Sequence, residues 1–112
     1  MIKGSFKRNE AGAIVSFELS GHASAGEYGQ DIICAAVSAL AFNAVNGIDA
    51  LAGFQPIVEL DEVDEGYMYV ETIVDVNQEQ TNISQILLES LLIGLQGIEE
   101  EHSAFIQITT EK

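Results

Sequence analysis

The run from Ile32 to about Leu51 constrains this chain most, because it is apolar on nearly every side of a helix. Ile33, Val37, Leu40, Ala41, Ala44, Val45 and Ile48 recur at helical spacings, the pattern of a surface that must leave water. So broad an apolar surface has to be covered on more than one side, by the rest of the domain or by a partner subunit. The run is also the nearest approach to a membrane span. Asn43, Asn46 and Asp49 interrupt it, so it reads as a core helix with no span expected. Gly53 stops it and Pro56 follows at the expected distance.

Around this helix the chain alternates. Residues 2–8 place Ile2, Gly4 and Phe6 on one face and Lys3, Ser5 and Lys7 on the other. Residues 13–20 place Val15, Phe17 and Leu19 opposite Ser16, Glu18 and Ser20. Asn9-Glu10-Ala11-Gly12 between them is turn chemistry, so the pair predicts a β-hairpin. A second hairpin spans 57–62 and 67–74, turning at Asp64-Glu65-Gly66, with Val58, Leu60, Met68, Val70 and Val74 as its inner face. Asn82-Ile83-Ser84-Gln85 has the form of a capping box and predicts a second helix from Ile83 to about Glu101. Its stripe is Ile83, Ile86, Leu87, Leu91, Gly94 and Ile98, widened by Leu88, Leu92 and Leu95. Phe105 to Thr110 predicts a last strand. The order ββαββαβ implies one domain over 1–112. Its class is α+β, a two-layer sandwich of an antiparallel or mixed sheet with two helices. The surplus apolar surface of the helices favours a homodimer.

Composition narrows the function. The chain has 112 residues, 47% hydrophobic, with one Cys and a net charge of −14. A lone Cys excludes an internal disulfide framework and fits a reducing compartment. The first eight residues carry charge with no apolar run behind them, unlike a signal peptide, so a cytoplasmic protein is expected. The negative field repels nucleic acid and attracts basic proteins. One Cys and two His, without Cys-x-x-Cys or His-Glu-x-x-His spacing, give no zinc set. His102 after Glu99-Glu100-Glu101 reads as a solvated helix end, and Asp61-Glu62-Val63-Asp64-Glu65 as a hairpin tip. No phosphate loop or dinucleotide fingerprint is present, and no cofactor is expected.

The chemistry concentrates in residues 21–38. Gly21, Gly26 and Gly29 break all periodicity over 21–30, which reads as a loop. Asp31 then has the chemistry of an N-cap, its carboxylate accepting bonds from the first-turn amides. That start makes Cys34 the third helical residue, beside unpaired amides and the positive end of the helix dipole, where thiolate is favoured. His22 lies across a loop with ample slack to fold back onto Cys34, so its imidazole is a candidate base. Asp31 is first a cap and second a group that orients His22. Ser38 lies one turn beyond Cys34 and faces the same side. The glycines let backbone approach a substrate and supply oxyanion donors. Against this stands a plain reading in which Cys34 is small core packing and His22 a hydrogen-bonded loop residue.

Gly21-His22-Ala23, Gly26, Tyr28-Gly29 and Asp31-Ile32-Ile33-Cys34-Ala35-Ala36-Val37-Ser38 resemble the signature of the bacterial ribosomal-processing cysteine proteases, the Prp family. The likeness extends over nearly the whole chain. It implies an endopeptidase that removes a short N-terminal extension from large-subunit ribosomal protein twenty-seven. It further implies catalytic roles at His22 and Cys34, supporting roles at Asp31 and Ser38, a dimer, and a glycine-rich loop that reorganises over substrate. The alternative is a non-catalytic, acidic, dimeric module that binds a basic ribosomal protein, with Cys34 buried and inert. A thiol redox sensor is a third, weaker reading.

Overall fold

Among the described residues, five strands and two helices build the domain in the order ββαββαβ. The computed structural model describes residues 1–21, 28–61 and 66–112, with the side chains of 28–31 also left out. Strands β1 (Ile2–Arg8), β2 (Ile14–Ser20), β3 (Ile57–Leu60), β4 (Tyr67–Glu71) and β5 (Ile106–Glu111) form one sheet in the order β3-β4-β2-β1-β5. β5 runs parallel to β1 and every other pairing is antiparallel. Helices α1 (Tyr28–Gly47), with a π turn at Ile48–Ala52, and α2 (Gln78–Glu101) share one buried cluster with the sheet.

Cross-strand rows explain that cluster. Leu60, Met68, Leu19, Gly4 and Ile108 are register partners across the five strands. A second row runs Val58, Val70, Phe17 and Phe6, and the Phe6 and Phe17 rings stack with centroids 5.3 Å apart. Ile33, Val37, Ala41, Ala44 and Ile48 of α1 and its π turn close over these rows. Ser84, Leu88, Leu91, Leu92 and Leu95 form the buried face of α2. The helices approach closely where each offers a glycine to the other's leucine, Gly94 against Leu40 and Gly47 against Leu87.

Six expectations change. Val15 is not a core residue of β2. The β1/β2 register slips between Lys7 and Arg8, where the partner changes from Ser16 to Ile14. A bulge of this kind reverses which residues face inward, so Ile14 is buried in its place. The cap of α2 is Asn77, not Asn82. The Asn77 side-chain oxygen accepts from the Gln80 amide at 2.9 Å, and the Gln80 side-chain oxygen accepts from the Asn77 amide at 3.0 Å. Gln85 leaves the helix surface instead and bonds both backbone groups of Ile14. Ile86 of the expected stripe is exposed on the far side of α2. The second hairpin is shorter than expected: β4 ends at Glu71, and Val74 is 98% exposed. β3 is exposed along its whole length although Val58 and Leu60 share the inner face with Met68 and Val70. Finally, Ile32–Ala52 does reach the length and apolar content of a membrane span. Here its inner side is core, while Ile32, Phe42 and Leu51 remain exposed. The hairpin tip at 62–65 lies outside the described residues.

Arg8 ties the first hairpin to α2. Its guanidinium forms a two-pronged ion pair with Glu89 and bonds the Gly12 carbonyl at 2.8 Å. The hydrogen bond from Arg8 holds the Glu89 carboxyl below its ordinary value. A depressed carboxylate stabilises the fold above its unfolded pKa, and the contribution disappears as pH falls through the folded one. Glu89→Gln is therefore expected to cost about 1 kcal/mol at neutral pH, read from urea midpoints. The gap from the parent protein should close below about pH 4.

Candidate active site

Cys34 opens into a cleft of about 120 Å³ at one end of the sheet. The cleft forms where several chain ends converge. Ser20 and Gly21 leave β2, Gly66 and Tyr67 enter β4, Leu60 ends β3 and Ile2 starts β1. Above them α1 contributes Cys34, Val37, Ser38, Ala41 and Phe42. These α1 positions recur at three- and four-residue intervals, so one helix face forms the wall. Cys34 is half-buried and its thiol is free of any disulfide. Ser38 is exposed on the same wall. The sequence spacing thus brings Cys34 and Ser38 to one cleft.

Helix geometry revises the surroundings of the thiol. α1 begins at Tyr28, so Gly29 lies in its first turn rather than in a loop, and Asp31 is a helical residue rather than the cap. Tyr28-Gly29-Gln30 continue the helix backward because none of them blocks it, and Asp31 is then simply an acidic residue in the favourable first turn. Cys34 moves to the second turn. The orphan amides belong to the first four residues of a helix, so they are not the direct partners of its sulfur, and the dipole falls off over the same distance. His22 and Gly26 lie outside the described residues, as does the Asp31 side chain.

Gly21 anchors the floor of the cleft. Its φ is +89°, a region that suits glycine. Its amide donates to the Gly66 carbonyl at 2.9 Å and so links the end of β2 to the start of β4. A Cβ there would run into the Met1 carbonyl. Beside it Tyr67 donates its hydroxyl proton to Glu18 at 3.0 Å, a bond that raises the phenol pKa. Phe42, Leu60, Tyr67 and Met68 are cleft residues that the sequence reading did not single out. Phe42 had a local signal, two turns past Cys34 on the same face. The others reach the cleft only through sheet order. Among the described residues no cluster of His, Cys, Asp and Glu has the makings of a metal site.

Known proteins share the sequence and the fold of this chain. The sequence model of the family described as cysteine protease Prp matches residues 1–107. The chain belongs to this Prp family. The Bacillus subtilis ribosomal processing cysteine protease Prp is 38% identical over 110 residues, covering 98% of this chain and 97% of that protein. A solved Streptococcus mutans structure superposes with a TM-score of 0.87 at 36% identity, covering 100% of this chain and 96% of that one. The Staphylococcus aureus Prp, solved with a covalently linked product peptide, gives a TM-score of 0.83 at 34% identity, covering 98% and 99%. The same protease has been solved with a substrate peptide. This chain is accordingly a cysteine protease, with the mixed five-stranded sheet and two helices of the Prp fold.

Gly21→Ala is expected to be far more damaging than Gly12→Ala. Both residues have positive φ, but only Gly21 meets backbone, whereas a Cβ at Gly12 meets nothing within 4 Å. Strain alone costs about 1–2 kcal/mol. Thermal melts should show that loss for Gly12→Ala and a clearly larger one for Gly21→Ala.

Proposed function

We propose that this Prp protease matures the ribosome by removing an N-terminal extension from large-subunit ribosomal protein twenty-seven, with Cys34 as nucleophile and His22 as its base. The observation that carries the reading is the placement of Cys34. It is the chain's single cysteine, and it lines a cleft in a member of a cysteine protease family. The ribosomal substrate class follows the names of the relatives, and the −14 charge suits a basic ribosomal protein.

In this mechanism His22 takes the Cys34 proton and the thiolate attacks the scissile carbonyl. Backbone amides at the cleft hold the developing oxyanion. Imidazolium returns the proton to the leaving amine, and water then releases the acyl group from sulfur. Because Cys34 lies beyond the first turn of α1, activation of the thiol falls mainly to His22 rather than to the helix dipole. Asp31 and Ser38 support the pair, and Gly21, Gly26 and Gly29 shape the segment that meets substrate. The protease works in the cytoplasm as a homodimer. Ile32 and Leu51 of the α1 segment and Ile86 and Ile93 of α2 are exposed apolar side chains of the kind that a second subunit covers.

Cys34→Ser and His22→Ala are each expected to abolish cleavage of the precursor while melting temperature stays near that of the parent. The losses should reach the factor of a thousand or more typical of a missing nucleophile or base. Full cleavage by a folded Cys34→Ser protein would contradict the assignment.

A further inference from the structure

The outer edge of β3 continues the Cys34 cleft. β3 is an edge strand whose only described neighbour is β4. Its ladder phase is set by the bond from the Asp61 amide to the Tyr67 carbonyl. Hydrogen-bonded pairs alternate along an antiparallel ladder. The inward pairs are therefore Asp61–Tyr67, Glu59–Tyr69 and Ile57–Glu71, in the observed register. Val58 and Leu60 consequently turn their N–H and C=O groups to the open edge.

The same two residues place side chains on the helix side of the sheet, in register with Val70 and Met68. They remain 36% and 51% exposed because the helix layer stops short of β3. Leu60 also lines the cleft, facing it together with Phe42, which is 43% exposed on α1. A trough thus has Cys34, Ser38 and Phe42 on one wall and Leu60 on the other, and Val58 extends the same face of β3 two residues beyond Leu60. Among the described residues, the outward backbone groups of Val58 and Leu60 on its β3 wall, two residues apart, have no partner. Open edges are kept from pairing by shortness, charge, proline or a bulge, and β3 is short, with four residues. Over Ile57–Leu60 the one charge is Glu59, whose side chain points to the opposite face of the sheet.

We propose that the peptide substrate docks by adding to β3 as a sixth strand, bonding the Val58 and Leu60 backbone and setting alternate side chains against Phe42 and Leu60. Strand addition draws affinity from the main chain and selectivity from every second side chain. The established activity makes an extended peptide the occupant, since the trough is continuous with the cleft of the protease thiol. The inference rests on Cys34 being the reacting group. It assigns a positioning role to β3 and leaves the chemistry to the cleft.

The test is an N-methyl scan of a synthetic peptide spanning the extension junction of precursor ribosomal protein twenty-seven, assayed with the full-length protein. Each N-methyl group removes one backbone donor and leaves the side chains unchanged. Sixth-strand docking predicts a period of two on one side of the scissile bond. Alternate positions lose at least about tenfold in kcat/KM, and the interleaved positions keep most of it. Val58→Pro, which deletes an outward amide of an edge strand, should raise KM about tenfold. It should leave both the melting temperature and the alkylation rate of Cys34 unchanged. Cleavage with no alternation across the scan overturns strand addition and leaves the proposed function standing. So does a Val58→Pro change in oligomer mass without a KM effect, which would give the edge to a second copy. Failure of the unmodified peptide to be cut overturns the substrate reading and this inference together.

Discussion

Ile33, Val37, Ala41, Ala44 and Ile48 make one buried seam along α1 and its π turn, and the site follows from where that seam is pinned. Below it lie the Phe6–Phe17 stack and the row through Met68 and Leu19. Beside it the two glycine–leucine contacts draw α2 close. Burial of each large apolar side chain is worth about 1.5–3 kcal/mol, so the seam fixes the rotation of α1 firmly. With that rotation fixed, Cys34 falls at the margin of the seam. It is close enough to the core to be held and far enough out to meet a cleft.

The margin explains how one residue type serves two ends. A fully buried thiol packs like a small apolar group and is inert, while a fully exposed one has no fixed geometry. Cys34 is intermediate. The cleft it lines is built from strand ends and one helix face. The Gly21–Gly66 bond closes its floor at the point where β2 ends and β4 begins. Secondary structure thus holds the proposed nucleophile, while the proposed base comes from the segment that follows Gly21.

Much of this was legible in the sequence because strands and helices leave periodic traces. The first hairpin, the helix end at Gly53, a sheet either antiparallel or mixed, and the ββαββαβ order all follow from alternation and turn chemistry. What escaped has physical reasons. A bulge adds a residue without marking the pattern, so Val15 and Ile14 exchanged roles. Asn77 and Asn82 each precede a Gln by three residues, and only the docking of Gln85 on Ile14 separates a cap from a bridge. Asp31 has the chemistry of a cap, yet the helix runs past it to Tyr28. The outward character of β3 depends on how far the helix layer extends, which no local pattern records. The Cys34–Ser38 wall was readable from helical spacing, whereas Leu60, Tyr67 and Met68 reach the cleft only through long-range pairing.

The central claim is that Cys34 is a reactive thiol activated by His22 rather than a packing residue. The rate of iodoacetamide alkylation of the native protein against pH tests it most directly. The account predicts rapid labelling below pH 7 that slows markedly in His22→Ala, since only the thiolate reacts and the imidazole is what lowers its cost. Labelling that begins only after denaturation, or a pH profile indifferent to His22, would contradict it.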